Sequence, residues 1–282
     1  MNDTIESVQV HLVSSPVPAG IADATRTVER IGFTLVKVRT ADGVIGWGVT
    51  YHEVGGEAIK TLIEHDMAPK LIGRDPFDTE VLWHEFFGYL RGVGRKGLMF
   101  AALSAIDIAL WDIKGKALGV PLVKLFGGGR DRVPVYGSGG WTSYSDQQLV
   151  AEAVEIVNRG YTTIKLKVGV DGGRNPSRDV ERIRQVRQAI GSDIGLMLDA
   201  NNCWDAATAA RFANRVADQN PMWLEEPVFA DDIPGLARFR RATDIPLATG
   251  EHEYTKFGVR DLLLNEAADI IQADGTRAGG FT

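Results

Sequence analysis

From Thr163 to Asp274 the chain repeats one grammar: a short apolar run ending in polar or charged residues, then an amphipathic stretch, then the next run. Lys165-Leu166-Lys167, Leu198-Asp199-Ala200-Asn201, Trp223-Leu224-Glu225-Glu226-Pro227, Thr249-Gly250-Glu251-His252 and Ile271-Gln272-Ala273-Asp274 close successive runs. Such alternation predicts βα units and a parallel sheet whose strands are buried on both faces. Charged residues at the carboxyl ends of consecutive parallel strands gather at a barrel's mouth. Asp199, Glu225 and Glu251 stand 26 and 26 residues apart, one unit per acid.

The preceding residues read differently. Ile5–Val13 predicts a strand, 14–27 a loop carrying Pro16, Pro18 and Gly20, and 33–40 with 44–49 a hairpin turning at Ala41-Asp42-Gly43. Helical patterns follow at 57–70, at 76–89 with Pro76 in the first turn, and at 97–118, where Met99, Ala102, Leu103, Ile106, Leu110 and Ile113 make one apolar face. Strands followed by helices describe an α+β unit, 1–130, with Gly127-Gly128-Gly129 marking the boundary to the α/β unit, 131–282. There the paired elements begin with a strand at 133–136 and a helix capped by Ser145.

Lys165 and Lys167 share the inward face of one strand. Two buried ammonium groups need countercharge, and their mutual repulsion with desolvation predicts a lowered pKa for at least one, as a general base requires. The alternative is a frayed strand end with both lysines hydrated. Asp199, Glu225 and Glu251 at one mouth would repel by about 4 kcal/mol per close pair. A divalent cation removes that cost, and all-oxygen ligation favours Mg²⁺ over Zn²⁺. Asn201 shares the Asp199 face and suits metal-site water or substrate, whereas Glu226 points away towards a structural ion pair. His52 and His252 are candidate substrate contacts; His11 and His65 read as ordinary element residues. The glycine-rich stretches 137–140 and 169–173 read as turns, since neither matches a dinucleotide or phosphate-binding motif.

These motifs resemble the enolase superfamily, and within it the mandelate racemase subgroup. The resemblance is carried by Lys165-Leu166-Lys167, Leu198-Asp199-Ala200-Asn201, Trp223-Leu224-Glu225-Glu226-Pro227, Gly250-Glu251-His252, Asp274 before Gly279-Gly280, and the helix from Ser104 to Gly119. It implies an α+β capping domain on a modified (β/α)7β barrel of the TIM type, with the last part of the barrel beyond this chain. It further implies Mg²⁺ held by Asp199, Glu225 and Glu251, with Lys167 as base and Lys165 neutralising the substrate carboxylate. The shared step is removal of the proton α to a carboxylate, giving an enediolate. The family pairs the Asp matching Asp274 with a His after the next strand. That position falls beyond Thr282, so we expect a fragment of a longer enzyme, the alternative being a natural truncation without catalysis.

Within the subgroup the chemistry divides into racemisation or epimerisation of 2-hydroxy acids and dehydration of acid sugars. Gly250-Glu251-His252-Glu253-Tyr254 resembles members acting on aldonic or aldaric acids. Tyr51, His52 and Arg277 suit a polyhydroxy substrate, so an acid-sugar dehydratase, a lyase, is the expectation. A net charge of −6 gives no support for nucleic-acid binding, and no apolar stretch is long enough to span a bilayer. The single Cys203 and an N-terminus without a signal-peptide pattern fit a cytoplasmic enzyme. The resemblance adds a symmetric homo-oligomer as the expected assembly.

Overall fold

The computed structural model describes residues 3–17, 21–52 and 54–282. Its first part is a three-stranded antiparallel sheet, β1 (Ile5–Pro16), β2 (Arg30–Thr40) and β3 (Ile45–His52), in the order β1-β2-β3. Alternation sets its two faces: Val36 and Val38 are fully buried, and the helices cover that side. The expected loop at 14–27 is partly strand, because Ser14 to Pro16 pair with Arg30 to Gly32; its Pro18 to Gly20 portion lies outside the described residues.

The helical run after β3 contains α1 (Gly56–Thr61), a π-turn segment (Leu62–Met67) and α2 (Ala68–Leu71). α3 (Thr79–Tyr89) begins later than the sequence reading places it. The Asp75 carboxylate accepts the Phe77 N–H at 2.8 Å, so Pro76 stands in a side-chain-closed turn instead of the first helical turn. α4 (Leu98–Leu118) is the long helix expected, and nearly every residue from Phe100 to Leu110 is buried between sheet, helices and the second part of the chain. α5 (Leu122–Leu125) follows.

The second part is a six-stranded parallel sheet in sequential order. Its strands are β4 (Gly137–Gly139), β5 (Thr163–Lys167), β6 (Gly195–Asp199), β7 (Pro221–Glu225), β8 (Leu247–Thr249) and β9 (Ile270–Ile271). Between them lie α6 (Asp146–Asn158), α7 (Pro176–Ile190), α8 (Ala206–Val216), α9 (Ile233–Arg240) and α10 (Lys256–Leu264). Ser145 closes a full capping box with Gln148 at the start of α6.

The first strand is not Val133–Tyr136. Val133 and Val135 are exposed, at 72% and 69%, while the glycines after them pair with β5. A Cβ on Gly137 would lie 2.2 Å from Ile156 Cγ2, so only glycine lets α6 pack this close to the strand. The stretch read as a turn is therefore the strand, and the valines before it form the approach.

Each part has its own apolar core. One joins Ile5, Val36, Met67, Phe86 and the buried face of α4. The other joins the outward faces of β5 to β8 with α6 to α10, including Leu166, Leu198, Phe212 and Phe239. Among the described residues, no helix is long and apolar enough to cross a membrane.

Candidate active site

Strand register builds the centre of the site. In the parallel ladder Lys167 is level with Asp199, and Asp199 is level with Glu225. These three residues end β5, β6 and β7 at the same height and on the same face. Lys165, one pleat deeper, is 7% exposed. Its Nζ donates to Glu225 Oε1 at 2.7 Å and lies 3.4 Å from Asp199 Oδ2. Lys167 Nζ reaches the same Asp199 oxygen at 2.5 Å. The rings of Tyr136 and Trp141 lie 5.5 and 5.9 Å from the two ammonium groups, respectively. Neither lysine is a frayed, hydrated strand end.

The electrostatics depart from the expectation at Lys165. Burial works against its charge, but Asp199 and Glu225 outweigh that and hold its pKa above the usual lysine range. A neighbouring cation would have lowered it; two carboxylates at contact distance count for more. Asp199 is almost wholly buried, yet Lys167 and then Lys165 overcome the desolvation and lower its pKa. Glu225 behaves oppositely: burial and the Asp199 charge push it up to about 7 despite Lys165.

Glu225 has further partners that the sequence reading missed. Gln272 Nε2 donates to Oε2 at 2.8 Å, and Trp223 Nε1 lies 3.3 Å from the same oxygen. Gln272 follows β9 directly, two residues beyond the level of Asp199 and Glu225 and on the same face, and a polar residue at that strand end was the available signal. Tyr136 and Trp141 flank the glycine strand and carried no such mark.

Glu251 belongs to a second group. Among the described residues, the one set of three metal-ligating side chains whose donor atoms all lie within 4.8 Å of one another is Glu226, Glu251 and His252. The oxygens of Asp199, Glu225 and Glu251 do not meet that closely; the first two pair with Lys165 and Lys167 instead. Glu226 is 1% exposed with φ +42°, and its Oε2 accepts from Asn202 Nδ2 at 2.7 Å. Its Oε1 is 3.4 Å from His252 Nε2, so its side chain lies within the site and is more than a remote ion pair. That contact raises the His252 pKa.

A cleft of about 580 Å³ opens beside this group. Its barrel wall includes Asn201, Glu251, His252 and Arg277, and its cap wall includes Tyr51 and His52. Asn201 has φ +45°; its N–H donates to Asp199 Oδ1 at 3.0 Å, and its buried Oδ1 has no hydrogen-bond partner. His52 Nδ1 lies 2.9 Å from Thr34 Oγ1, and burial lowers its pKa. Arg277 donates to the Glu251 carbonyl at 3.0 Å and sits over the Tyr51 ring at 5.7 Å. Asp274 is spent locally, accepting the Thr276 N–H at 2.7 Å and pairing with Arg277 Nε at 3.3 Å. Thus Lys165, Lys167, Asp199 and Glu225 form a buried floor, and the remaining candidates, Asp274 apart, line the cleft above it.

Known proteins share this arrangement of elements. The chain is 36% identical to the L-talarate/galactarate dehydratase of Salmonella typhimurium, over 99% of this chain and 71% of the relative. It is 34% identical to the 3,6-anhydro-alpha-L-galactonate cycloisomerase of Streptomyces coelicolor, over 99% and 77%. A crystal structure of a racemase from Streptomyces coelicolor with bound magnesium superposes with a TM-score of 0.94 at 33% identity, covering 98% of this chain and 77% of that one. The model of the mandelate racemase/muconate lactonizing enzyme N-terminal domain matches residues 6–127, and that of the enolase C-terminal domain-like fold matches 148–282. The chain belongs to the mandelate racemase/muconate lactonizing enzyme family of the enolase superfamily.

Proposed function

We propose that this protein removes the proton α to the carboxylate of an acid sugar and dehydrates it, with Mg²⁺ as cofactor. The observation that carries the reading is the buried floor: two lysines on one strand face, with Asp199 and Glu225 in register on the next two strands. A structural ion-pair network would not need four ionisable groups beneath a cleft, because burying such groups costs several kcal/mol each when charged.

The donor set suits a hard cation. Asp199 and Glu225 are each 1% exposed, Glu251 lines the cleft above them, and carboxylate oxygens are the ligands Mg²⁺ prefers. Asp199, Glu225 and Glu251 would hold it, and when bound it supplies positive charge against the enediolate that proton loss creates. Glu226 and His252 add donor atoms beside Glu251. The magnesium in the Streptomyces racemase structure supports the same cofactor here.

The chain's own residues supply the other parts. Lys167, the shallower lysine, takes the α-proton after releasing its own, and Lys165 keeps its charge against the substrate carboxylate. Lys165 lies at 2.7 and 3.4 Å from two carboxylates, a setting that suits it to charge neutralisation rather than to proton removal. Asn201, with an unpartnered oxygen, and His52 face hydroxyls along the sugar chain. Dehydration then breaks the C3–O bond with a proton delivered to the departing hydroxyl, giving an enol that becomes the 2-keto-3-deoxy acid. Relatives named as dehydratases, among them the talarate/galactarate and D-galactonate enzymes, support this outcome over racemisation.

The test is a panel of aldonic and aldaric acids incubated with the full-length protein and Mg²⁺, followed by trapping of 2-keto-3-deoxy products. We expect conversion of at least one acid and none after chelation. Epimers or lactones without keto acid would replace dehydration by racemisation or cycloisomerisation. No conversion of any acid would refute the enzyme.

A further inference from the structure

The segment after Asp274 carries Arg277 into the cleft, and its fixed points lie on the other part of the chain. Gly279 N–H donates to Ser104 Oγ at 2.8 Å, and Gly279 carbonyl accepts from Trp83 Nε1 at 2.8 Å. Phe281 and Thr282 N–H groups both donate to Asp107 Oδ2, at 2.6 and 3.0 Å. Thr50 Oγ1 donates to the Thr276 carbonyl at 2.7 Å. Ser104, Asp107 and Thr50 are at most 2% exposed. Gly279 and Gly280 have φ +105° and +92°, and a Cβ on Gly280 would lie 2.2 Å from Asp107 Oδ2. The two glycines therefore let the backbone reach the α4 side chains directly.

Asp107 is a buried carboxylate with backbone N–H groups as partners. Desolvation raises its pKa even so. Burying an acid where apolar packing would serve is costly, so its use is the register it imposes on the segment. We propose that Ser104 and Asp107, on cap helix α4, are positioning residues for Arg277. By fixing Gly279 to Thr282 they set where Arg277 meets Glu251 and the cleft. The proposal rests on the proton-abstraction reading above for its effect on turnover. Its structural half stands apart from that reading.

The test combines hydrogen exchange with a double-mutant cycle in the full-length protein. In Asp107→Leu, the amides of Phe281 and Thr282 lose their acceptor, and we expect them to exchange at least about tenfold faster while Val36 and Val38 amides are unchanged. kcat/KM should fall by about tenfold or more. Combining Asp107→Leu with Arg277→Met should cost no more than Arg277→Met alone, because both act through one contact. Asp107→Asn, which keeps an accepting oxygen, should stay within about threefold of the wild type. If Asp107→Leu fails to fold, Ser104→Ala removes a single acceptor and enters the same cycle.

Faster exchange with kcat/KM unchanged, or losses that multiply in the double variant, would overturn the proposal, as would unchanged exchange. Should the wild type convert no acid sugar, that result counts against the proposed function. The latch is then decided by the Arg277 Nη1 to Glu251 carbonyl distance in a crystal structure of Asp107→Leu, where an unmoved Arg277 would refute it.

Discussion

Asp179 offers a quantitative test of how the loop beside the base strand is held. It sits fully buried on α7, and its Oδ2 accepts the N–H groups of Gly169 and Val170, each at 3.1 Å. Those residues lie two and three places after Lys167. Arg182 stands 3.6 Å away and donates to the carbonyls of Gly140 and Trp141, so one pair braces the loops after β4 and β5. Burial outweighs these partners and pushes the Asp179 pKa from 3.8 up to about 6. Between about pH 4 and 6 the folded state keeps a proton that the unfolded chain has released. Stability from this group therefore falls as pH rises through that window and is level above it. A carboxyl lifted from 3.8 to about 6 is worth about 3 kcal/mol over its whole titration.

Asp179→Asn mimics the protonated form at every pH and removes this dependence. The experiment is urea unfolding of both proteins at pH 4 and pH 7.5. The stability of the variant relative to the wild type should rise by about 2.4 kcal/mol between the two conditions, because at pH 4 the unfolded carboxyl is already more than half ionised; that is about 0.8 M in midpoint at an m-value near 3 kcal/mol/M. A change below about 1 kcal/mol would mean that Asp179 is not held protonated by burial. A change of opposite sign would mean that Arg182 and the two amides hold Asp179 ionised.

Other expectations follow from the same geometry. Lys167→Ala should lower α-proton exchange by about 10²–10⁴-fold, the usual worth of a general base, with an unchanged far-ultraviolet spectrum; a loss under tenfold would assign the base elsewhere. Glu225→Gln should abolish Mg²⁺ binding in a calorimetric titration while the fold persists, and unchanged affinity would show the ligand set to be wrong. Ser145→Ala breaks the capping box of α6 and should cost about 1 kcal/mol in thermal unfolding, with activity retained; no measurable loss would show the cap to be idle.

The parallel sheet was legible because βα spacing is a periodic signal and strand ends punctuate it. β6 and α4 fall where apolar pattern alone places them. β4 was misplaced because its pairing rests on two glycines, which have no side chain to register as a strand. α3 was placed three residues early because Pro76 suits a helix start, while the Asp75 side-chain turn that displaces it is invisible to periodicity. At the site, residue types and spacing pointed to Lys165, Lys167, Asp199 and Glu225. They did not reveal that Lys165 would be held charged, which depends on distances of 2.7 and 3.4 Å. Gln272, Tyr136 and the inward placement of Glu226 likewise arise from contacts between strands far apart in sequence.

This floor of lysines and carboxylates is proposed to remove a proton α to a carboxylate. The most direct measurement of that step is α-deuterium incorporation, followed by proton NMR, when the full-length protein meets an acid-sugar panel with Mg²⁺ in D₂O. Loss of the α-proton signal, or deuterium-labelled keto acid, is expected for at least one member, and neither for Lys167→Ala. Wild-type protein that leaves every α-proton in place, with Mg²⁺ bound, would contradict the proposed step.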